Sequence, residues 1–455
     1  MGCDGCSWLR PGGAVGISTG VHCFPEVYPF PFFFLLRRSS RCRNSAVSCS
    51  TTSGPPNSYP ESSTRSYNSR RWYNPLSYGP EPSDHPPSPR VVRDWTDSDA
   101  ALNSEERIKV VSYNILADRN SSKHRDLYPN VPNPYLKWGY RKRLICDELI
   151  GLGPDIICMQ EVDKYFDLFS TLEKAGYAGS YKRRTGDNVD GCALFWKADR
   201  FQLLESENIE FKSFGLHDNV AQLSVFEMCK SKSRKLLVGN THVLYYPSRG
   251  DVKLGQIRLL CSRAHLLSKK WGNIPVVLAG DFNSTPESPV YNFLATSELN
   301  VMEHNRRELS GQRNCHPTRV LGTSRKQSDM LVSIGRSLGG SSWTNEEIRI
   351  ATGRDNSYWA VHPLKLRSSY ASVKGSAART RDSAGEPLAT SYHSKFLGTV
   401  DYLWYSDGGL VPARVLDTLP IDVLCKTRGL PCEKLGSDHL ALVSEFMFKP
   451  GCEDI

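Results

Sequence analysis

Short apolar runs alternate with longer stretches of helical spacing over most of this chain. Residues 108–114 (Ile-Lys-Val-Val-Ser-Tyr-Asn) predict a buried strand. Residues 140–152 place apolar side chains three and four apart and stop at Gly153-Pro154, which predicts a helix with a defined end. Residues 155–160 predict the next strand, and a helical segment follows that ends at Ala175 before Gly176. Further strands are predicted at 191–196, 201–211, 221–228 and 236–241. Leu254, Ile257, Leu260, Ala264 and Leu267 share one face of 251–271 and predict an amphipathic helix. A strand at 275–279, a short helix at 287–295 and late strands at 399–404 and 440–446 complete the pattern. Strands alternating with helices predict an α/β layered domain.

Two regions break this rhythm. Up to residue 80 the chain holds eight Arg, no Lys and three acids, among many Ser, Pro, Tyr and Gly. Such a composition builds no core, so residues 1–100 read as a disordered tail ahead of a domain at 101–450. An Arg- and Ser-rich, acid-poor start also suits an organellar transit peptide, and a solvated tail with no address is the equal alternative. Met1-Gly2-Cys3 hints at acylation, but position 6 is Cys6 where the acylation pattern wants Ser or Thr. The second break, at about 303–392, is rich in Ser, Arg and Gly with weak periodicity, and reads as a long flexible insert. Arg325, Lys326, Arg336, Lys365 and Arg367 within it read first as solvated surface.

Composition narrows the class. Apolar residues are 39% and charged residues 23% of the 455, enough for a sizeable core. The net charge of +9 suits an anionic partner. The longest apolar run, 27–36, carries Pro29 and Pro31 and falls far short of the ~18–20 residues of a membrane span. The 14 cysteines lie scattered or inside strand-like runs, as reduced thiols of an intracellular protein do. Cys3-x-x-Cys6 has no second pair, so a structural zinc is not expected.

The chemistry gathers at strand ends. Asn114, Glu161, His242, Asp281 with Asn283, Asp401, and Asp438 with His439 each follow an apolar run. Polar groups just past such strands lie at the rim of an α/β sheet, where ligands bind. Any one alone reads as a cap, a turn or a satisfied core imidazole; six such ends in one domain are hard to dismiss. The set is rich in oxygen and lacks Cys, which suits Mg²⁺, or Mn²⁺, over zinc. Metal-assisted phosphoester chemistry follows from that composition.

The ordered motifs Ser-Tyr-Asn114, Gln-Glu161-Val, Asn-Thr-His242, Gly-Asp281-Phe-Asn283-Ser, Val-Asp401-Tyr and Ser-Asp438-His439 resemble those of the endonuclease/exonuclease/phosphatase superfamily. Within it the chain resembles the deadenylase branch: carbon catabolite repressor protein 4, nocturnin and angel, with a plant-like spacing. The marks are residues 113–118, Val189-Asp190-Gly191-Cys192-Ala193, Pro247 after His242, Asp251-Val252-Lys253-Leu254-x-Gln256, and Phe396 ahead of Val400-Asp401-Tyr402. The likeness spans about 107–302 and 391–448. It implies a four-layered α/β sandwich of two packed mixed sheets flanked by helices. It implies that Glu161, Asn114 and Asp438 serve the metal. Asp281 would orient or deprotonate water, and Asn283 would hold the phosphate or a second metal. His242 and His439 would contact the phosphate, with Asp401 orienting His439.

By the same likeness, Phe396 stacks on adenine and Pro247 packs near the base. The implied activity is Mg²⁺-dependent removal of 3′ poly(A) from single-stranded RNA. The alternative is a phosphatase or phosphodiesterase on a small nucleotide or a 2′-linked end. An inactive RNA-binding scaffold ranks last, because Glu161, Asp281, Asn283 and His439 are all present. The branch member of mRNA decay docks onto its scaffold complex through leucine-rich repeats; this sequence has none, so membership by that route is in doubt. Cytoplasm and nucleus are the expected compartments, with chloroplast or mitochondrion the alternative if the N-terminal segment is an address.

Overall fold

The structure is a computed structural model and describes residues 91–99, 106–322, 343–373 and 379–449. Its strands in chain order are β1 (Trp95–Asp97), β2 (Arg107–Asn114), β3 (Ile156–Gln160), β4 (Tyr177–Arg183), β5 (Gly191–Lys197) and β6 (Phe201–Glu210). Next come β7 (Val220–Met228), β8 (Lys235–His242), β9 (Val276–Asp281), β10 (Glu298–Asn300), β11 (Trp359–Val361) and β12 (Leu366–Ser368). The last are β13 (Ser391–His393), β14 (Phe396–Gly398), β15 (Asp401–Ser406), β16 (Leu410–Leu416) and β17 (Leu442–Phe448). A seven-stranded sheet has the order β1-β16-β17-β2-β3-β5-β4, and a six-stranded sheet the order β12-β15-β9-β8-β7-β6. Both are mixed: β2 with β3 and β8 with β9 run parallel, and their other pairings are antiparallel.

Alternation along the strands builds the layers. On β2, Ile108 and Val110 enter the core between the sheets, where Val238, Val277 and Leu403 meet them. Val111 and Tyr113 point the other way, onto Ile145 and Leu149 of the helix Trp138–Leu152. On β9, Val277 and Ala279 face the inter-sheet core, while Val276 and Leu278 pack under the helix Gly250–Lys270. Strands covered on both faces are apolar nearly throughout, which is why they read as continuous runs. The result is the expected four-layered sandwich, helix, sheet, sheet, helix.

Two expectations change. The sheet begins before residue 100, because β1 pairs with β16 from Trp95↔Leu416 to Asp97↔Arg414; residues 1–90 lie outside the described part. The stretch 303–392 is not structureless where it is described. It supplies the helix Asn345–Thr352, closed by a Thr344/Glu347 capping box. It also supplies β11, β12 and β13, and Ala351, Ala360, Leu364 and Leu366 join the core under the second sheet. Of its cations, Arg325, Lys326 and Arg336 fall outside the described residues, and exposed Arg367 pairs with Asp407. The eight cysteines described are free thiols, and no described helix is long and apolar enough to cross a membrane.

Candidate active site

The two sheets are locked together at one end. Gln160, the last residue of β3, donates from Nε2 to Asn240 Oδ1 on β8 at 2.9 Å. Asn240 Nδ2 returns to the carbonyls of Met159 (3.0 Å) and Ala193 (2.8 Å). Both amides are buried, so these bonds form without competition from water. They fix Glu161, one residue on, against His242, two residues on. Along the second sheet, β8 and β9 pair His242 with Asp281, and β15 pairs Asp401 with the same Asp281. The approach at Thr241↔Gly280 admits no side chain: a Cβ on Gly280 would stand 2.0 Å from Thr241 O.

Sharp turns then aim the groups. Leu116, Glu161 and Asn283, just past β2, β3 and β9, all hold positive φ (57°, 56° and 49°). Non-glycine residues are strained there, and such strain collects at functional sites. Buried Arg141 braces two of the loops, donating from Nη1 to Ile115 O and Leu116 O (both 2.8 Å) and to Gly436 O (3.3 Å).

Asn114 Nδ2 sits between two carboxylates, 3.3 Å from Glu161 Oε1 and 3.1 Å from Asp281 Oδ2. Glu161 Oε2 accepts from Ala117 N (3.1 Å) and Asn120 Nδ2 (2.7 Å). His242 Nε2 lies 3.5 Å from Asp281 Oδ2, and His439 Nε2 lies 4.0 Å from that same oxygen. On its other side, His439 Nδ1 meets Asp401 Oδ2 at 2.8 Å, and Thr390 Oγ1 donates to that oxygen at 2.6 Å. Tyr128 OH donates to Asp438 Oδ2 at 2.8 Å.

Burial sets the charges. It pushes Asp281 up to about 7, with the facing Asp401 carboxylate adding to the rise. Burial also raises Asp438. Glu161 moves the other way: burial would raise it, but His242, the Asn120 amide and His439 together hold it below the usual carboxylate range. Burial drives His242 down to about 4, against the pull of the Glu161 carboxylate. His439 is lifted well above an ordinary imidazole against its own burial, chiefly by Asp401.

Ligand atoms of Asp281, Asp401 and His439 lie within 4.8 Å of one another, and the Asp401 Oδ1 atom is buried with no partner. Carboxylates pushed upward by burial and an orphaned carboxylate oxygen are what a cation would satisfy, so the residues fit a hard metal ion. Glu161 and Asp438 belong to the same cleft, of about 750 Å³, with Asp281, His242 and His439.

The geometry defines two of these groups further and moves a third. Asn114 Oδ1 accepts Leu116 N at 3.1 Å, so the amide nitrogen faces the two carboxylates. Asn283 Nδ2 donates to Val243 O and its Oδ1 accepts from Gln312 Nε2, both at 2.9 Å, which holds the amide at the cleft wall and commits only one of its two N–H bonds. Pro247 does not line the cleft; Tyr245 and Tyr246 do, both more than half exposed. Phe396 does line it.

The chain belongs to the endonuclease/exonuclease/phosphatase family. That family's model matches residues 111–439, from within β2 to His439. The chain is 69% identical, over 98% of both sequences, to carbon catabolite repressor protein 4 homolog 3 of Arabidopsis thaliana. Homolog 5 of the same plant is 48% identical over 79% of this chain and 82% of its own. Among solved structures, ANGEL2, described as a 2′,3′-cyclic phosphatase and bound to adenosine-2′,3′-vanadate, superposes with a TM-score of 0.63. It is 30% identical, over 78% of this chain and 98% of its own. The plant and angel likenesses agree with the branch marks in the sequence. The protein is thus a hydrolase of this family with an acidic, imidazole-bearing candidate metal site.

Several supporting residues had no signal in the sequence. Asn120, Tyr128 and Thr390 bond Glu161, Asp438 and Asp401, yet Tyr128 and Thr390 sit in irregular stretches and Asn120 in the six-residue helix Asp118–Lys123. Lys253 and Gln256 did carry one, inside the Asp-Val-Lys-Leu-x-Gln run. Lys253 Nζ is fully buried and donates to Tyr245 O, Asn283 O and Gln312 Oε1. Gln256 takes Leu244 N on its Oε1 and gives Nε2 to Leu216 O and Asn219 Oδ1. Asn219 in turn donates to His242 O.

Proposed function

We propose that the protein is a Mg²⁺-dependent 3′-exoribonuclease that removes poly(A) from single-stranded RNA by phosphodiester hydrolysis. One observation carries this reading: the Phe396 ring lines the same cleft as Glu161, Asp281 and His439. A base stacked on that ring puts its own phosphate within reach of the carboxylates. Stacking contributes ~1–3 kcal/mol per base and asks for an unpaired strand. Glu161 and Asp438 would hold Mg²⁺ or Mn²⁺, which would offset the charge of the phosphate. Asp281 Oδ2 takes the proton of the attacking water, which its raised affinity for protons favours. The cationic His439 donates to a phosphate oxygen from Nε2 while Asp401 grips Nδ1.

A second reading has its own support. ANGEL2, 30% identical to this chain, is described as a 2′,3′-cyclic phosphatase. One experiment separates the two. The full-length protein is incubated with 5′-labelled RNA ending in about twenty adenosines, a length exceeding single-strand sites of ~4–16 nucleotides. One batch ends in 3′-hydroxyl and the other in 2′,3′-cyclic phosphate. A magnesium-dependent ladder on the hydroxyl-ended RNA supports the exoribonuclease. Opening or loss of the cyclic phosphate with no ladder replaces it by the phosphatase. Action in cytoplasm and nucleus is part of the proposal, and a fluorescent fusion found in plastids or mitochondria would move it there.

A further inference from the structure

The His393 imidazole lines the cleft, and none of the chemistry above uses it. It ends β13, whose partner β14 places Phe396 opposite it in register. The hairpin hangs on the segment that carries Asp438 and His439. Ser391 bridges to His439, Tyr392 N donates to Asp438 O (3.0 Å), and Leu440 N donates to Thr390 O (2.7 Å). From rim to floor the contacts run in one line. The Phe396 and His393 rings are 6.1 Å apart at 34°, His393 and Tyr128 are 6.2 Å apart at 69°, and Tyr128 OH bonds Asp438. A nucleotide with its base on Phe396 and its phosphate among the carboxylates would run along that line, with its sugar beside His393.

The tautomer is fixed by the backbone. Lys395 N–H donates to His393 Nδ1 at 3.3 Å, so the ring proton of the neutral imidazole sits on Nε2. No protein group among the described residues bonds that Nε2, although the side chain is only 7% exposed. Desolvation, with His439 and Lys395 adding to it, pushes the imidazole down to about 4 and keeps it neutral. His393 therefore offers the cleft an N–H donor that has no protein acceptor among the described residues.

We infer that His393 reads the ribose 2′-hydroxyl of the bound nucleotide through Nε2–H and so selects RNA over DNA. This deepens the nucleotide reading of the cleft and rests on it. The 2′-hydroxyl is the group that tells the two polymers apart at a given position. A buried donor matched to a substrate hydroxyl is left unpaired by the analogue that lacks it, which penalises the analogue.

The test uses the full-length protein and two oligoadenylates, one all-ribose and one with 2′-deoxyadenosine in its last two positions. Binding of adenosine 5′-monophosphate and its 2′-deoxy form is measured in parallel. The wild type is expected to favour the ribose substrate on the order of 10-fold or more. His393→Phe keeps a ring against Tyr128 and Phe396 but removes the donor, and its ribose-to-deoxyribose ratio should fall towards one. His393→Gln, which restores an N–H, should recover part of the ratio. A His393→Phe variant that slows both substrates by the same factor, with the ratio intact, overturns the inference and makes His393 structural. Absence of discrimination in the wild type overturns it as well. If neither oligonucleotide is cut, the exoribonuclease reading fails by itself. The two monophosphates then decide: a preference for the ribonucleotide that His393→Phe abolishes upholds the inference, and equal binding removes it.

Discussion

Replacing Asp401 by Asn is the sharpest single perturbation of this site. The side chains have the same shape, and Asp401 is buried, so the change is electrical. Its Oδ2 accepts from His439 Nδ1 at 2.8 Å and from Thr390 Oγ1 at 2.6 Å. An amide oxygen in the Oδ2 place can still accept from both the Thr390 hydroxyl and Nδ1–H, but it carries no charge. The imidazole then keeps its orientation and loses the carboxylate that kept it cationic. A hydrogen bond to a charged group is worth about 1.5–3 kcal/mol. If that stabilisation serves the charge developing on phosphate, kcat falls roughly 10- to 150-fold with KM little changed. The pH profile supplies the check. The raised His439 keeps the charged form above the ordinary imidazole range in the wild type. In Asp401→Asn that form is lost as pH rises through the ordinary imidazole range near ~6.5. Initial rates on 5′-labelled oligoadenylate between pH 5.5 and 9, at saturating Mg²⁺, read both effects. A variant within threefold of wild type with a superimposable profile would refute the role given to the pair.

Glu161→Ala should abolish turnover and weaken cation binding measured by calorimetry, while the far-ultraviolet circular dichroism stays native; turnover near the wild-type level removes Glu161 from the metal. Phe396→Ala should cost A-ended RNA about 5- to 150-fold, the equivalent of ~1–3 kcal/mol of stacking, and should cost U-ended RNA less. Equal losses on A and U would make Phe396 a packing residue. Away from the site, burial pushes His362 down to about 4 while its Nε2 meets Phe293 O at 2.9 Å. Its folded affinity for protons lies below the unfolded one. Stability is therefore held above ~6.5 and lost as pH falls from there towards 4, by about 3 kcal/mol in all. His362→Phe should flatten that part of the urea-denaturation free energy against pH, and an unchanged slope would place the titration elsewhere.

The readable part of this fold is the part buried on both faces. β2, β3, β8 and β9 are near-continuous apolar runs, so their existence and the polar groups at their ends were plain in the sequence. β4 and β16 were not. Most of β4 is only partly buried, and β16 carries Pro412 with a shift of register between Pro412 and Arg414. The stretch 303–392 was misjudged because its strands are three residues long and owe their order to distant partners, β10 for β11 and β15 for β12. Its eight-residue helix Asn345–Thr352 had left a sign: Thr344 and Glu347 stand in capping-box spacing. Phe396 lines the cleft. Pro247 does not: Tyr245 and Tyr246, two residues and one residue before it, take that wall, and its own carbonyl accepts from the Ser310 hydroxyl.

The site shows a second limit on what sequence tells. Motif order found the groups that would meet phosphate, but motif order does not say which face outward and which are spent in holding the others. The lysine of the Asp-Val-Lys-Leu run belongs to the second kind. Burial holds the Lys253 ammonium well below a usual lysine, with Asp281 pulling it back. No carboxylate bonds it; its partners are the Asn283 and Tyr245 carbonyls and the Gln312 amide. A methionine would fill the same space and leave three buried acceptors unmet, at ~1–3 kcal/mol each. The lysine therefore stands where it does because the turn after β9 and the loop after β8 must be tied to one helix. That tie keeps the neighbours of Asp281 and the tyrosine wall in fixed relation. A charged side chain in a family motif is in this case a strut, and only the acceptors around it tell it from a ligand.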